Sequence, residues 1–214
     1  MLLLVVVAAV FCAAHAAFPC QAPAELTFRA ARHNYADTNF RRYSGEYDKN
    51  NARVVLFEES FYNRSREGHE FLFLHRVDVA FDLDFNTRKC IRFPAGPFRP
   101  FEVPFNATFE GEFTLGGPNE VVTVDRWSDR IPGRGRETWV GEFSLANCYP
   151  ISQFVLDETD FNRTSITHFY DVVQGIVNPN EFDVPRECFN GTFVPEMPEA
   201  ARYARSVYLK KLFV

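Results

Sequence analysis

The sequence predicts a secreted, mostly β protein, and three features of the chain lead to that fold class. Short runs of alternating apolar and polar residues recur along it, Gly, Pro, Asn and Asp separate these runs, and helix signals are scarce. We infer about seven or more antiparallel strands, at the spacing that is typical of a sandwich or barrel. The length of the chain suits one such domain with a core of its own.

The first element is a secretory signal peptide. Residues 1–17 carry no charged side chain and end in the small-residue run Ala14-His15-Ala16-Ala17. This apolar run is short against the roughly 20 residues of a membrane-spanning helix. Cleavage is predicted after Ala16, which gives a signal peptide at 1–16, and Ala17 is the alternative.

After cleavage, the chain is predicted to be a disulfide-bonded glycoprotein. Secretion into an oxidising compartment predicts two disulfides among the four remaining cysteines, which are Cys20, Cys90, Cys148 and Cys188. Four N-x-S/T sequons predict solvent-facing glycosylation sites at Asn63, Asn106, Asn162 and Asn190. The net charge is -5 and charges of both signs are interleaved, so nucleic acid is not an expected partner.

Strand patterns follow in order along residues 53–58, 77–84, 105–115, 139–145 and 151–156. In the third of these runs, a glycan on Asn106 must face water. Because side chains alternate between the two faces of a strand, the rings of the opposite parity are predicted to face inward. Gly116 to Asn119 and Ile131 to Arg136 are predicted turns between strands.

Phenylalanine is abundant, with 24 residues in 214, so rings dominate whatever is buried. An ordinary aromatic core is one interpretation, and a ring-lined cavity for an apolar ligand is the other. Strand parity predicts that such a pocket is lined by Val79, Phe81, Phe109, Phe113, Trp139 and Phe143.

The last segment differs from the β domain, which we place at residues 17–194. Pro198 can start a helix, and Ala201, Ala204 and Tyr208 follow at a helical spacing. We predict a basic amphipathic helix within a tail at 195–214. A cover for a sheet edge or a dimer contact is its favoured role, and a membrane-surface element is the alternative.

Motifs for catalysis are missing, so no enzymatic activity is predicted. His69-Glu70 begins like a zinc-protease motif, but Phe73 stands where the second histidine is required. A segment that begins at Asp82 resembles an EF-hand loop without its glycine or final glutamate. A different Ca²⁺ site would draw on Asp78, Asp82, Asp84, Asp157 and Asp160, and a solvated acidic strand face is the alternative.

A series of ordered segments covers nearly all of the mature chain and resembles the ependymin and ependymin-related family. The segments that carry the resemblance are Pro19-Cys20-Gln21-Ala22-Pro23, Tyr47-Asp48-Lys49-Asn50-Asn51, Thr87-Arg88-Lys89-Cys90, Phe109-Glu110-Gly111-Glu112, Cys148-Tyr149-Pro150-Ile151-Ser152 and Gly175-Ile176-Val177-Asn178-Pro179. The chain departs from the vertebrate pattern because it lacks an extra cysteine pair and has a basic tail after Cys188.

The resemblance implies the fold and the disulfides in more detail. Family members have two curved antiparallel sheets around a deep apolar pocket, similar to bacterial lipoprotein carriers. Their pattern implies that Cys20 pairs with Cys148 and that Cys90 pairs with Cys188. The family is secreted or lysosomal, often homodimeric, associated with calcium and cell-matrix adhesion, and without known enzymatic activity.

Two functions are therefore expected from the sequence. The first is an extracellular or lysosomal carrier that shields a lipid, fatty acid or other hydrophobic small molecule in a β pocket. The alternative is a calcium-dependent adhesion or signalling protein that binds extracellular matrix and has no ligand cavity. A dry, filled interior would favour the alternative.

Overall fold

The computed structural model describes residues 18–35, 40–62, 65–130, 137–156 and 164–208, and the predicted signal peptide lies outside these ranges. Besides short 3₁₀ helices at His75–Val77, Pro179–Phe182 and Arg186–Cys188, this part of the chain contains twelve strands and one short α-helix. They are β1 (Glu25–Asn34), β2 (Phe40–Asp48), β3 (Arg53–Tyr62), β4 (Ser65–Leu74), β5 (Val79–Asp84), β6 (Lys89–Phe93), β7 (Thr108–Gly117), β8 (Glu120–Ser128), β9 (Trp139–Ser144), β10 (Pro150–Val155), β11 (Ser165–Gln174), β12 (Thr192–Phe193) and α1 (Glu199–Arg205).

All twelve strands belong to one hydrogen-bonded sheet, in the order β12-β6-β5-β4-β3-β2-β1-β11-β10-β9-β8-β7. The predicted mostly β architecture with a short C-terminal helix is confirmed. The strands share one continuous sheet where two were expected, because β1 pairs with β2 on one side and with β11 on the other. Apart from the parallel pair of β12 and β6, the pairings are antiparallel.

One face of the sheet carries a ring-rich core beneath α1. Phe28, Phe101 and Phe169 contact one another edge to face, with ring centroids 5.6–5.7 Å apart. The helix begins directly after Pro198 and buries Ala201 and Ala204 in the same cluster. The rings and the helix thus fill this face of the sheet together.

The C-terminal helix is shorter than predicted, and the residues in and after it are buried in the core. The helix ends at Arg205, and the predicted continuation through residues 209–214 lies outside the described residues. Val207 and Tyr208, which follow the helix, are buried in the ring-rich core. Ala201, Ala204, Val207 and Tyr208 of the predicted tail therefore help to complete the core of the β domain. None of the described helices is long and apolar enough to span a membrane.

Segment 176–188, which we call the strap, covers the opposite face of β3–β6. Phe182 of the strap packs with Val55, Leu72 and Phe81. The disulfide Cys90–Cys188 joins the strap to β6. Because the central strands are covered on both faces, β5 is buried along most of its length instead of alternating cleanly with solvent.

A third cluster lies at the other end of the sheet, around the disulfide Cys20–Cys148. Trp127, Trp139 and Phe143 are buried there. This disulfide ties the N-terminal segment to the turn between β9 and β10. Both disulfides pair the cysteines as the family resemblance implied.

A β-bulge in β7 separates two rings that were predicted to share a face. The register with β8 shifts between Phe109 and Gly111, and Gly111 has a φ of +142°. Phe109 contacts the ring of Trp127, whereas Phe113 lies beneath the guanidinium of the neighbouring Arg126. Since adjacent residues of β8 face opposite ways, Phe109 and Phe113 lie on opposite faces. The prediction that they share an inward face is therefore wrong.

Candidate ligand-binding grooves

The six residues predicted to line a pocket are not brought together. Val79 and Phe81 belong to the cluster beneath the strap, and Trp139 and Phe143 belong to the cluster around Cys20–Cys148. Phe109 is 38% exposed on β7. The physical reason is the strand order, since β4, β3, β2, β1, β11 and β10 stand between β5 and β9. These residues therefore do not line one common cavity.

An apolar groove of about 620 Å³ lies instead where β8 begins, between the turn joining β9 to β10 and the end of β11. Its lining side chains are mostly apolar or aromatic, and include Val121, Val122, Leu145, Tyr149, Pro150, Ile151, Phe169, Tyr170 and Val172. Its volume is within the range of roughly 300–1,000 Å³ that is usual for small-molecule sites.

The β7–β8 hairpin explains why apolar side chains stay open to solvent in this groove. Gly116, with a φ of +104°, leads into the Pro118-Asn119 turn, and Val121 and Val122 lie near the start of β8, one residue after that turn. These two valines are 57% and 46% exposed, and Leu145 across the groove is 52% exposed. An apolar ligand that covered them would remove this surface from water.

A second groove, of about 580 Å³, lies on strands β1 to β4 and is more polar. Three arginines line it, so we call it the arginine groove; they are Arg29, Arg42 and Arg66. Phe57, Phe85 and Tyr170 add rings to its wall. Tyr170 also lines the apolar groove, so the two grooves are neighbours.

The three arginines differ in their partners. Arg29 pairs with Asp171 at 3.3 Å, and Arg66 pairs with Glu59. The guanidinium of Arg42 lies over the rings of Phe40 and Phe61, at 5.3 and 5.8 Å from their centroids. Cation–π contacts of this kind hold an arginine in place without neutralising its charge.

The predicted calcium ligands have other partners in the structure. Asp78 accepts a hydrogen bond from the backbone N–H of Gly96 at 2.8 Å, and Asp84 accepts one from the N–H of Asn86 at 2.8 Å. Asp82 is 7% exposed and lies 2.7 Å from Nδ1 of His69, a hydrogen bond that raises the pKa of His69. The alternative of a solvated acidic face is therefore wrong for Asp82.

Asp157 and Asp160 lie outside the described residues. Within the ranges that the structure describes, no group of three or more His, Cys, Asp or Glu side chains is placed to hold a metal ion.

Two of the four predicted glycosylation sites are described, and both are exposed. Asn106 precedes β7, and Asn190 lies in a turn after Cys188. Asn63 and Asn162 fall outside the described ranges, as does the predicted turn at 131–136. Glycosylation of the two exposed asparagines remains a prediction. Neither side chain is buried, so a glycan could be attached at both positions without displacing protein atoms.

Sequence reasoning missed the residues of both grooves. Val121 and Val122 carry a weak signal, because two consecutive valines on a strand cannot both face inward. No sequence signal marks Arg29, Arg42 or Tyr170 as groove residues, because their proximity depends on the pairing of β1 with both β2 and β11.

Comparison with known proteins places the chain among established relatives. A family model described as Ependymin matches residues 63–188. Mammalian ependymin-related protein 1 of Rattus norvegicus is 33% identical over 172 residues, which cover 79% of this chain and 76% of the relative. The protein of the same name from Mus musculus is 32% identical over 172 residues, with the same two coverages.

Solved structures add a likeness of fold. An uncharacterized conserved protein from Thermus thermophilus matches with a TM-score of 0.53 at 11% identity, over 81% of this chain and 91% of that one. A LolA superfamily protein from Nitrosomonas europaea reaches a TM-score of 0.33, which is too low to indicate a shared fold. The sequence relatives and the matching family model agree, and the chain belongs to the ependymin family.

Proposed function

We propose that this protein is a secreted glycoprotein that binds a hydrophobic small molecule, lipid or fatty acid noncovalently in the apolar groove. The observation that carries the proposal is the set of exposed apolar side chains around that groove, led by Val121, Val122 and Leu145. Each CH₂ group buried there would contribute about 0.8 kcal/mol, before the cost of association. Ligand burial is the whole mechanism, and no catalytic step is proposed.

Secretion is supported by the apolar leader at residues 1–16 and by the two disulfides. Disulfides persist in oxidising compartments and are rare in the cytosol. The extracellular space is the proposed destination, and the lysosome is the alternative.

A second function is favoured by the packing beneath α1. Phe28, Phe101 and Phe169 contact one another there, and Tyr208 joins the same cluster, so rings of the chain itself occupy this face. A protein with a filled interior can act through its outer surface. The corresponding proposal is a homodimeric matrix-adhesion protein that is associated with calcium.

The first experiment is to purify the protein from a eukaryotic secretion host and to analyse an organic extract by mass spectrometry. We expect a stoichiometric fatty acid or lipid. A fluorescently labelled C16 fatty acid then measures affinity for the purified protein and for the Val122→Asp variant, whose carboxylate would meet the acyl chain.

Val77→Asp is the matched control, since Val77 is 65% exposed and lies in the turn before β5, outside both grooves. We expect Val122→Asp to weaken binding at least tenfold and the control to leave it unchanged. A clean extract and no binding of the labelled fatty acid would reject the carrier and favour the adhesion protein.

A further inference from the structure

We propose that an N-glycan on Asn106 shields the open edge of β7 and keeps a second copy of the chain from pairing with that edge. The proposal concerns a different surface from the two grooves. It rests on the glycosylation that is part of the proposed function, and it gives the glycan at this site a structural role.

β7 is one of the two edge strands of the sheet and the longer of the two. It extends over ten residues and pairs with β8 along one side. Along its other side, no strand of the described part of the chain pairs with it. Such an edge presents a row of unpaired N–H and C=O groups, to which another chain can add itself as a further strand.

The sequence of β7 gives this edge little protection. Lysine, arginine and proline, which usually guard edge strands, are absent from Thr108–Gly117. Glu110 is compensated, because it accepts a hydrogen bond from the hydroxyl of Ser128 at 2.5 Å and pairs with Arg130 at 3.2 Å. Residues 113–117 carry no charge. The second half of β7 is therefore open to pairing.

The sequon Asn106-Ala107-Thr108 leads directly into this edge. Thr108 is the first residue of β7, so the exposed Asn106 stands two residues before the strand. Phe105 is 94% exposed and Phe109 is 38% exposed, so an apolar ring lies on each side of the sequon. A bulky, solubilising glycan at Asn106 would cover these rings and the start of the edge.

The glycan would also stand where a second copy has to lie. Two β7 strands related by a two-fold axis pair antiparallel, so the end of one strand near Gly117 lies beside the start of the other near Thr108. Pairing over the full length therefore brings the β7–β8 turn of one copy against the Asn106 glycan of its partner. The two compete for the same space, and the glycan excludes the pair.

The opposite edge of the sheet supplies a matched control. The pattern Phe105-Asn106-Ala107-Thr108-Phe109 recurs there as Phe189-Asn190-Gly191-Thr192-Phe193, and in both the threonine begins an edge strand. This second edge strand, β12, is two residues long and is followed by Pro195. A very short strand and a nearby proline already prevent edge pairing. Loss of a glycan from Asn190 should therefore not cause association.

The test compares wild-type protein with Asn106→Gln and Asn190→Gln, all secreted from a eukaryotic host. Peptide mass spectrometry before and after enzymatic deglycosylation shows which asparagines are occupied. Light scattering during size-exclusion chromatography then measures the molar mass over a range of protein concentrations. We expect Asn106→Gln to form species of twice the wild-type mass or more as its concentration rises. Asn190→Gln should keep the wild-type mass.

Two further measurements locate the association on β7. Hydrogen exchange of residues 108–117 should be slower in associated Asn106→Gln than in wild type, because outward N–H groups gain acceptors. Thr114 is exposed on β7, and adding Thr114→Lys should restore the wild-type mass, since a lysine opposes edge pairing. If Asn106→Gln is poorly secreted, folded wild-type protein is trimmed with an endoglycosidase, with and without Thr114→Lys.

An unchanged molar mass on loss of the Asn106 glycan, by substitution or by trimming, would overturn the shield and leave the protein a glycoprotein. Association that Thr114→Lys does not prevent would also overturn it, because another surface would then be responsible. An unoccupied Asn106 in secreted wild-type protein would instead reject the glycosylation on which the proposal rests, and the proposal with it.

Discussion

Arg32 is 1% exposed beneath the end of α1, on the inward face of β1. Its guanidinium donates to the backbone oxygen of Tyr203 at 2.5 Å, to the hydroxyl of Ser206, and to the hydroxyl of Ser165 at 2.8 Å. Burial lowers the pKa of this guanidinium. One side chain thus joins the C-terminal helix to two strands, β1 and β11.

Arg32→Leu is expected to lower the free energy of unfolding by about 2–4 kcal/mol, because it removes the buried hydrogen bonds that the guanidinium donates to Tyr203, Ser206 and Ser165. Urea unfolding followed by the fluorescence of the buried tryptophans measures the change. Arg92→Leu, at an exposed position, should change stability by no more than about 0.5 kcal/mol. Equal unfolding midpoints for the two variants would contradict the role assigned to Arg32.

His75 joins a loop to a buried tyrosine of the C-terminal segment. Its Nδ1 lies 2.7 Å from the backbone oxygen of Gly96, and its Nε2 lies 3.2 Å from the hydroxyl of Tyr208. Because a carbonyl only accepts, Nδ1 carries the proton and Nε2 of the neutral ring accepts from Tyr208. Burial lowers the pKa of His75, the neighbouring Arg205 lowers it further, and Gly96 and Asp78 oppose this.

The neutral ring is therefore the form that the fold prefers. A histidine whose pKa falls on folding stabilises the protein above its unfolded pKa of about 6.5 and loses that contribution as the pH falls through the folded pKa. His75→Gln removes this titration. Melting temperatures at pH 7.5 and pH 5 should show the variant losing less stability on acidification than wild type. A loss of the same size in both proteins would exclude His75 as the source.

At the scale of single elements, the strap is fixed to the sheet by a buried carboxylate. Glu46 is 2% exposed and accepts hydrogen bonds from the backbone N–H groups of Val177 and Asn178 at 3.0 and 2.8 Å. Two further acids lie at this contact. Burial, with the Glu181 carboxylate as a second cause, raises the pKa of Glu70 to about 7, and burial also raises the pKa of Glu181.

Glu70→Gln is expected to stabilise the protein at pH 8. A carboxyl whose pKa rises on folding stabilises the fold below its unfolded value of about 4.5, and that contribution is lost as the pH rises through about 7. The gain of the variant over wild type should therefore disappear near pH 4. Thermal unfolding at both pH values measures it, and Glu120→Gln, at an exposed position, serves as the control.

The sequence predicted most elements because their signals are local. The strand-like composition of 53–58 and 151–156 depends on neighbouring residues alone, and the first run lies in β3 while residues 151–155 of the second lie in β10. The bulge at Gly111 was not predictable, since a glycine in a strand is compatible with regular pairing as well. The grooves were missed for a different reason: exposure of Val122 or Arg42 depends on which strands lie beside them, and that information is not local.

At the scale of the whole molecule, two disulfides attach flanking segments to the sheet. Cys20–Cys148 holds the N-terminal segment on the turn between β9 and β10, and Cys90–Cys188 holds the strap on β6. Their cysteines are separated by 128 and 98 residues, so each closes a long loop. Cys90→Ser/Cys188→Ser and Cys20→Ser/Cys148→Ser should each lose about 2–5 kcal/mol of stability. Hydrogen exchange separates the two, because only the first pair of substitutions frees the strap. Unchanged protection of residues 176–188 in that variant would refute its dependence on the disulfide.

The order of the strands also determines the order in which the sheet can form. Strands β1 to β6 pair in sequence outward from β1, and β7 to β11 pair in sequence back towards it. Each series consists of hairpins and local contacts, which form fast because little chain entropy is lost on closing short loops. The pairing of β1 with β11, where Leu26 meets Gln174, is a late closure, as is the parallel pairing of β12 with β6. During synthesis the first series can therefore be complete before β11 leaves the ribosome. Until then, the edge of β1 that pairs with β11 remains without a hydrogen-bonding strand.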